Sequence, residues 1–374
     1  MKPVFFDHNS TTPTHPEVAK LMAEIASEPL NSSATHFYGR KAQAIINKAK
    51  SQILSALNAK NYEIIFTSSA TEATNTIFFG GDFTEILFSK IEHASVYNCR
   101  PENRKITEID CDANGVVEAK NLSAKIPQNS AKFLVSIMAC NNETGVIQPI
   151  EEFAKITHQN LGLFHSDLVQ TLGKIPVDLE KLNIDFASIS AHKIHGPVGV
   201  GALIYRKDLD FKPLILGGKQ QNSKRAGSLN IAGIAGFGLA VEIAEKNLQQ
   251  FQKIAILRDY LEENLLKITG GEENLKIFGK NMPRLANTCF YAVKNLNNQT
   301  QLINFDLNHI CVSAGASCSS GSVSSSKTLQ AMNVASEFLS GSIRISLSNQ
   351  NNIEEINYFL KIFNEFYNKK TKKL

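Results

Sequence analysis

The sequence lacks the features that would place the chain in a membrane or on nucleic acid. No window comes close to the about 18 consecutive apolar residues that a membrane-spanning helix needs, so we expect no contact with a membrane. The 39 basic residues against 35 acidic ones leave a net charge of only +4, which is too small to indicate direct binding of nucleic acid. Much of this excess lies in lysines near residue 370, which a solvated terminus explains more simply than a docking site.

Cysteine is also scarce, and its spacing excludes two kinds of site. None of the six cysteines forms a CxxC pair, so no zinc knuckle and no dithiol redox motif is visible, and we expect no metal. Residues 1–6 are too short for the core of a signal peptide, which predicts a cytoplasmic protein with reduced thiols. With 374 residues, 43% of them hydrophobic, the chain can bury a large core without disulfides.

Short apolar runs alternate with helical patterns between about residues 60 and 210. The runs are β-rich and are bounded by Gly, Asn, Asp or Ser, which is typical of buried strands. We predict strands at 63–67, 85–89, 132–139, 161–165, 186–190 and 201–205, with helices such as 70–79 and 150–159 between them. Such alternation predicts an α/β fold, in which a large domain holds a mainly parallel sheet flanked by helices.

The last third of the chain predicts a smaller α+β domain. It contains a long helical stretch over 231–268, strands at 287–293 and 343–347, and a helix at 353–367.

One segment of this last third is unlike the rest. Serine dominates residues 313–326, with Gly315 and Gly321 among them, and such a stretch cannot pack a core. We therefore expect a mobile loop there. The expected domains are a large one over 15–245 and a small one made of 1–14 and 246–374, which carries this loop.

Lys193 is the first candidate for chemistry. It directly follows the predicted strand 186–190, and the carboxyl ends of parallel strands are where α/β proteins bind ligands. A lysine that is partly removed from water has a lowered pKa and becomes a nucleophile toward carbonyls, as a Schiff base with pyridoxal phosphate (PLP) requires. A lysine at a strand end that simply reaches solvent is the plain alternative.

An acid and an anion site lie upstream of this lysine. Asp167 ends another predicted strand, and PLP needs a carboxylate to keep its ring nitrogen protonated. Gln170, three residues on, shares a face with Asp167 if the turn is helical. Helix capping explains Asp167 equally well on its own.

The run 66–73 leads from a strand into a helix through Ser68, Ser69 and Thr71. Small hydroxyl residues at a helix N-terminus expose free backbone N–H groups, which suit a phosphate. Glu72 also makes this run resemble a capping box, and both descriptions can hold together. His93 follows the predicted strand 85–89, where an aromatic ring could stack on a pyridine face, although a lone histidine is more often structural.

Ten motifs of this kind follow one another along the chain. They are Asp7–Pro13, Asn31–Arg40, Ser68–Ala73, Glu92-His93, Asn141–Gly145, His165–Gln170, Ser190–Pro197, Arg225–Asn230, Ser313–Ser320 and Arg344–Leu347. In this order they resemble the cysteine desulfurases of the NifS/IscS type, which are PLP enzymes of the class V aminotransferase group with PLP fold type I. The resemblance covers nearly the whole chain.

The resemblance implies a role for each predicted site residue. Lys193 would bind PLP and move the proton on the substrate α-carbon, His93 would stack on the ring, and Cys318 would accept sulfur. The implied cofactor-binding residues are Ala70, Thr71, His93, Asp167, Gln170, Ser190, His192, Lys193 and, from a partner subunit, Ser228. Asn142 and Arg344 would hold the substrate carboxylate.

The implied reaction converts L-cysteine to L-alanine and leaves the sulfur on Cys318 as a persulfide. The implied partners are a second copy of the chain and a sulfur-acceptor protein, such as an iron–sulfur scaffold or a tRNA-thiolation protein. A selenocysteine lyase or an aminotransferase on the same fold is the alternative enzyme. An inactive scaffold that retains PLP is the alternative outside catalysis.

Overall fold

The structure is a computed structural model, and it describes residues 3–127, 132–315 and 326–371. Cys318 and most of the predicted loop 313–326 lie outside these ranges. The described residues form twelve strands: β1 (Val4–Phe5), β2 (Tyr62–Thr67), β3 (Glu85–Ser89), β4 (Lys105–Ile109), β5 (Phe133–Ser136), β6 (Leu163–Asp167), β7 (Phe186–Ser190), β8 (Gly201–Arg206), β9 (Leu275–Ile277), β10 (Thr288–Val293), β11 (Ile310–Cys311) and β12 (Ser342–Ser346).

Fourteen α-helices stand between and around these strands in the described ranges. They are α1 (Pro16–Ala26), α2 (Phe37–Ala56), α3 (Ala70–Gly80), α4 (Ala94–Tyr97), α5 (Ala119–Lys125), α6 (Ile150–Gln159), α7 (Leu179–Leu182), α8 (Ile231–Lys246), α9 (Leu248–Gln252), α10 (Ile254–Thr269), α11 (Asn298–Leu307), α12 (Lys327–Ala331), α13 (Ser336–Leu339) and α14 (Ile353–Thr371). No helix in these ranges is long and apolar enough to cross a bilayer.

A seven-stranded sheet forms the centre of the molecule, in the order β2-β8-β7-β6-β5-β3-β4. The pairs from β7 to β4 are all parallel, whereas β8 runs antiparallel to both of its neighbours. The carboxyl ends of β3, β5, β6 and β7 therefore meet at one edge of the sheet. The predicted α/β fold with a mainly parallel sheet is confirmed.

Both faces of this sheet are covered, as the near-continuous apolar character of its strands requires. Successive side chains of a strand point to opposite faces, and in β3 Leu87 belongs to one buried cluster while Ile86 and Phe88 belong to another. The first cluster includes Ile46 of α2 and Phe153 of α6, and the second includes residues of α3. The sheet is thus held rigidly between helices, which fixes the edge where its loops begin.

A second core forms around a three-stranded antiparallel sheet, β12-β10-β9. Phe305, Phe359 and Phe363 pack there with Tyr291 of β10. Val4 and Phe6 belong to the same cluster, because β1 pairs with β11. The second core thus joins the N-terminal segment to the last third of the chain, and the division into a domain over 15–245 and a second one made of 1–14 and 246–374 stays a prediction.

The structure changes three sequence predictions. The strand expected at 132–139 is shorter: β5 ends at Ser136, and beyond it the Ile137 and Ala139 N–H groups still donate to carbonyls of β6. Strand β4 was missed because its four leading residues are polar or only partly buried, as suits the edge of a sheet. The helical stretch 231–268 is three helices, with interruptions at Asn247 and Lys253. At the first of these, the Asn247 side-chain amide donates to the Ile243 carbonyl.

Candidate active site

A cavity of about 250 Å³ opens at the carboxyl edge of the central sheet. Its lining brings together ten of the predicted site residues from six separate stretches of chain, because each stretch follows or approaches the same edge. The lining residues are Asn9, Ser10, Ala70, Thr71, His93, Ser95, Met138, Asn142, Asp167, Val169, Gln170, Ser190, His192, Lys193 and Arg344.

Lys193 reaches this cavity from a short 3₁₀ turn, Ala191–Lys193, directly after β7. Its amine donates to the main-chain carbonyls of Asn9 at 2.6 Å and Ser10 at 2.5 Å. Burial lowers the pKa of Lys193 to about 8, and the nearby charge of Arg344 contributes to the same shift. A substantial fraction of this amine is therefore neutral near pH 8 and available as a nucleophile or a base.

Asp167 is the last residue of β6 and lies buried in the same cavity. Its Oδ1 accepts the Val169 N–H at 2.8 Å, which orients the carboxylate. Burial raises the pKa of Asp167 to about 6. A buried carboxylate is costly unless a cation or a hydrogen-bond donor faces it, so this group favours a positively charged ligand atom.

The start of α3 forms an anion cradle beside these groups. Ser69 caps the helix by accepting the Glu72 N–H at 3.2 Å. Glu72 in turn accepts the Ser68 N–H at 2.7 Å, so the arrangement resembles the predicted capping box but reaches the residue before the N-cap. The first-turn N–H groups at Ala70 and Thr71 have no acceptor within the helix and face the cavity.

The far side of this cradle is formed by β7 and β8. Ser190 and His192 line the cavity from the end of β7. Gly201 of β8 makes the close approach possible, because a Cβ there would lie 2.5 Å from the Ser69 carbonyl carbon. Burial lowers the pKa of His192 to about 4, so this histidine is a neutral donor or acceptor.

His93 caps the short helix α4 and stands in the cavity wall. Its Nδ1 accepts the Ser95 N–H at 3.1 Å, which leaves the ring proton on Nε2. Burial lowers the pKa of His93 to about 4, with Lys193 and Arg344 contributing. A neutral imidazole is suited to stacking on an aromatic ring rather than to supplying a positive charge.

Arg344 enters the cavity from the second sheet, on β12. Its guanidinium donates to the Asn142 carbonyl at 3.0 Å, to Asp7 Oδ1 at 2.8 Å and to Ser10 Oγ at 2.7 Å. Its Nε is buried without a hydrogen-bond partner among the described residues. Such an unused donor on a cationic fork fits a ligand carboxylate.

The N-terminal segment Asp7–Ser10 is the part of the site to which sequence reasoning assigned no role. Asn9 and Ser10 line the cavity, and their carbonyls accept hydrogen bonds from the Lys193 amine. Asp7 accepts a hydrogen bond from Arg344. The segment was included among the ten motifs, and that was the only signal for it. Met138, Ser95 and Val169 also line the cavity without having been singled out.

Ser228 and Cys318 are not among the lining residues. Ser228 is exposed, and Cys318 lies outside the described residues. Cys140 is buried beside the Asn142 turn, its thiol contacts the Gly145 carbonyl at 3.0 Å, and burial raises its pKa to about 12. Cys140 is therefore an inert core thiol. Within the described ranges, no group of three or more His, Cys, Asp or Glu side chains could hold a metal ion.

This arrangement defines a class of α/β protein in which a lysine, a buried acid and an anion cradle converge at the carboxyl edge of a mainly parallel sheet. The profile of the aminotransferase class-V family matches residues 4–359. The chain therefore belongs to this family.

Individual relatives match nearly the whole chain. It is 37% identical to the cysteine desulfurase IscS of Dictyoglomus turgidum, over 98% of this chain and 95% of the relative. It is 37% identical to a cysteine desulfurase of Enterobacter agglomerans, over 96% and 92%. The X-ray structure of a NifS-like protein from Rickettsia africae matches with a TM-score of 0.90 at 38% identity, over 98% of this chain and 99% of that one. The resemblance to the NifS/IscS type is confirmed.

Proposed function

We propose that this protein is a PLP-dependent cysteine desulfurase, which converts L-cysteine to L-alanine and delivers the sulfur to Cys318 as a persulfide. The observation that carries the proposal is the convergence of Lys193, Asp167 and Arg344 in one cavity at the edge of the sheet. Each offers what PLP and an amino acid need: an amine of lowered pKa, a buried carboxylate and a cationic fork with an unused donor.

The residues of the cavity fit PLP. The N–H groups at the start of α3, with Ser190 and His192, suit its phosphate, and Asp167 suits its ring nitrogen. His93 and Gln170 would contact the ring face and the ring oxygen, and Lys193 would hold the cofactor covalently. When bound, PLP draws electrons away from the substrate α-carbon and so acidifies the proton on it.

The substrate is held by its carboxylate. Arg344 is suited to bind it with two N–H groups, because Asp7 and Ser10 already fix the guanidinium plane. Asn142 lies beside Arg344 and completes this subsite. With the carboxylate fixed, Lys193 is the base that takes the proton from the substrate α-carbon and later returns it.

Both described flanks of segment 316–325 lie beside this subsite, which supports Cys318 as the sulfur acceptor. On one flank, Ser313 and Arg344 exchange two backbone hydrogen bonds, at 3.2 and 2.6 Å. On the other, the Ser326 hydroxyl donates to buried Glu143 at 2.5 Å, one residue from Asn142.

The sulfur step balances without another reactant. The Cys318 thiolate attacks the sulfur of L-cysteine and forms an S–S bond, while the substrate Cβ–S bond breaks. The carbon fragment leaves as L-alanine after it takes up a proton at Cβ and regains the α-proton. Only the thiolate is nucleophilic, and an unperturbed thiol with a pKa of about 8.5 is mostly protonated at neutral pH.

We also propose that the protein acts as a homodimer and passes its sulfur to an acceptor protein, such as an iron–sulfur scaffold or a tRNA-thiolation protein. Exposed Ser228 is free to complete the phosphate site of a second copy. Leu216 lies in the same stretch of chain and is 80% exposed. So large an exposed apolar side chain supports contact of this surface with the second copy. A selenocysteine lyase or a class V aminotransferase is the alternative enzyme.

The deciding experiment measures the products formed from L-cysteine by the PLP-loaded protein. We expect L-alanine and a persulfide on Cys318, detected by mass spectrometry. Cys318→Ala should retain the absorbance of bound PLP and lose both products, whereas Cys140→Ala, the matched control, should form both. Lys193→Ala should lose the absorbance as well.

Other outcomes separate the alternatives. A keto acid with a transferred amino group would establish an aminotransferase. Product formation from selenocysteine but not from L-cysteine would establish a selenocysteine lyase. Bound PLP with no product would leave an inactive scaffold.

A further inference from the structure

Lys174 is a buried lysine for which the proposed mechanism has no use. It lies seven residues after Asp167 and is only 3% exposed. Its Nζ donates to Gln170 Oε1 at 2.6 Å and to Asn9 Oδ1 at 3.0 Å. Both acceptors are neutral, and a buried ammonium held only by neutral oxygens is costly. Such a cost points to a task at this position beyond packing.

The contact with Lys174 determines how the Gln170 amide is turned. An ammonium can only donate, so the oxygen of the amide must face Lys174. The NH₂ group must then point the other way, and its Nε2 indeed donates to the Asn9 carbonyl at 3.0 Å. Gln170 lines the active-site cavity. Lys174 and the Asn9 carbonyl therefore together fix the orientation in which Gln170 offers donors, not an acceptor, on the cavity side.

The same network reaches the proposed catalytic lysine. The Asn9 carbonyl that accepts the hydrogen bond from Gln170 also accepts one from Lys193 Nζ, at 2.6 Å. Burial lowers the pKa of Lys174 to about 7, and Lys193 and Arg344 add to this shift, so an anionic atom in the cavity would favour the charged form of Lys174. The titratable or charged groups that interact with Lys174 are Cys140, Lys193, Arg344, His8 and His195.

We propose that Lys174 is a positioning residue for PLP: it holds the Gln170 amide so that an N–H of this amide donates to the ring oxygen of the cofactor. This inference rests on the proposed function. Lys174 does not line the site cavity; it lines a neighbouring cavity that shares Lys193 with the site, so it acts through Gln170. A hydrogen bond from Gln170 stabilises the deprotonated form of the ring oxygen. A disordered or reversed amide would not provide this hydrogen bond and would therefore disfavour that form.

The test follows the absorbance of bound PLP as a function of pH, in the absence of substrate. Lys174→Met should move the midpoint of the absorbance change upward by about one pH unit, because the anionic ring oxygen loses its oriented donor. In a Gln170→Ala background, Lys174→Met should add little to the shift that Gln170→Ala already causes. A full additional shift in that background would overturn the inference.

Asn287→Ala is the matched control. Asn287 donates to the same Asn9 Oδ1 at 3.0 Å as Lys174 does, and its other side-chain hydrogen bonds join it to Leu347 and Thr288, not to Gln170. Its midpoint should stay at the wild-type value. An equal shift in Asn287→Ala would mean that Lys174 merely holds Asn9 in place, and would overturn the inference.

Two further outcomes are decisive. If Lys174→Met does not fold, Lys174→Ala removes the donor without placing a large apolar side chain against the polar cluster. An unchanged midpoint in that variant overturns this inference and leaves the proposed function standing. A wild-type protein that shows no absorbance of bound PLP overturns the proposed function and this inference together.

Discussion

Two buried arginines mark two regions of the molecule and behave differently. Arg284, in the second core, meets both oxygens of Glu262 at 2.6 Å, and the two side chains are 6% and 3% exposed. Arg344, in the cavity, is 5% exposed but meets one oxygen of Asp7, a carboxylate that is itself 20% exposed. Its Nε has no partner among the described residues.

The difference teaches how to separate structural charges from functional ones. A bidentate pair with full burial satisfies both partners, so it has no capacity left for a ligand. An equally buried cation with a partial set of partners is stable only if something else completes it. The pairing pattern, and not burial, singles out Arg344 as a site residue.

The largest expected effect is on the stability of the second core. Arg284→Met leaves Glu262 as an uncompensated buried charge, so the free energy of unfolding should fall by about 3–5 kcal/mol. Urea unfolding monitored by circular dichroism measures this loss. A loss smaller than about 1 kcal/mol would show that the Arg284–Glu262 pair does not stabilise the second core.

The same substitution in the cavity should affect binding and leave the fold intact. Arg344→Met removes the fork for the substrate carboxylate, so kcat/KM for L-cysteine should drop by about 10²- to 10³-fold. Asp7 can take up water, and stability should change little. Steady-state kinetics together with urea unfolding check both halves. A variant with normal kcat/KM but reduced stability would show that Arg344, like Arg284, has a structural role.

The smallest expected effect extends the comparison to carboxylates. The pKa of Asp167 is raised by burial to about 6, so the folded protein without PLP binds this proton more tightly than the unfolded chain does. Stability should therefore fall as the pH rises from about 4 to 6. Above that window, Asp167→Asn should be more stable than wild type by about 1–3 kcal/mol.

Unfolding of both proteins without PLP, at pH 4 and pH 7, measures the difference, which should vanish at the lower pH. With PLP present, the wild type should gain more stability than the variant does. A variant that is less stable at pH 7 without PLP would show that Asp167 is already satisfied by the protein.

Much of the site could be predicted because its residues lie next to strands that the sequence marks clearly. The predicted strands at 85–89 and 186–190 have the observed bounds, and 161–165 differs by two residues at each end. In a mainly parallel sheet such strands end at one edge, so His93, Asp167 and Lys193 had to lie near each other.

The remaining contacts depend on residues far apart in the sequence. Asn9 meets Lys193 and Gln170 across more than 160 residues, and Arg344 meets Asp7 across 337. No local pattern encodes such pairings. The antiparallel direction of β8 was not foreseen either, because an apolar run does not reveal the direction of a strand.

The pairing of residues 4–7 with residues 310–346 has a consequence for synthesis in the cell. Val4 and Phe5 pair with Ile310 and Cys311, and Asp7 bridges to Ser346. A ribosome must add some 300 further residues before these partners exist, at about 5–20 residues per second. For at least about 15 seconds of translation, Val4, Phe5 and Asp7 therefore lack these partners, although Asn9 already has Gln170 and Lys193 to contact. This corner of the site is completed last.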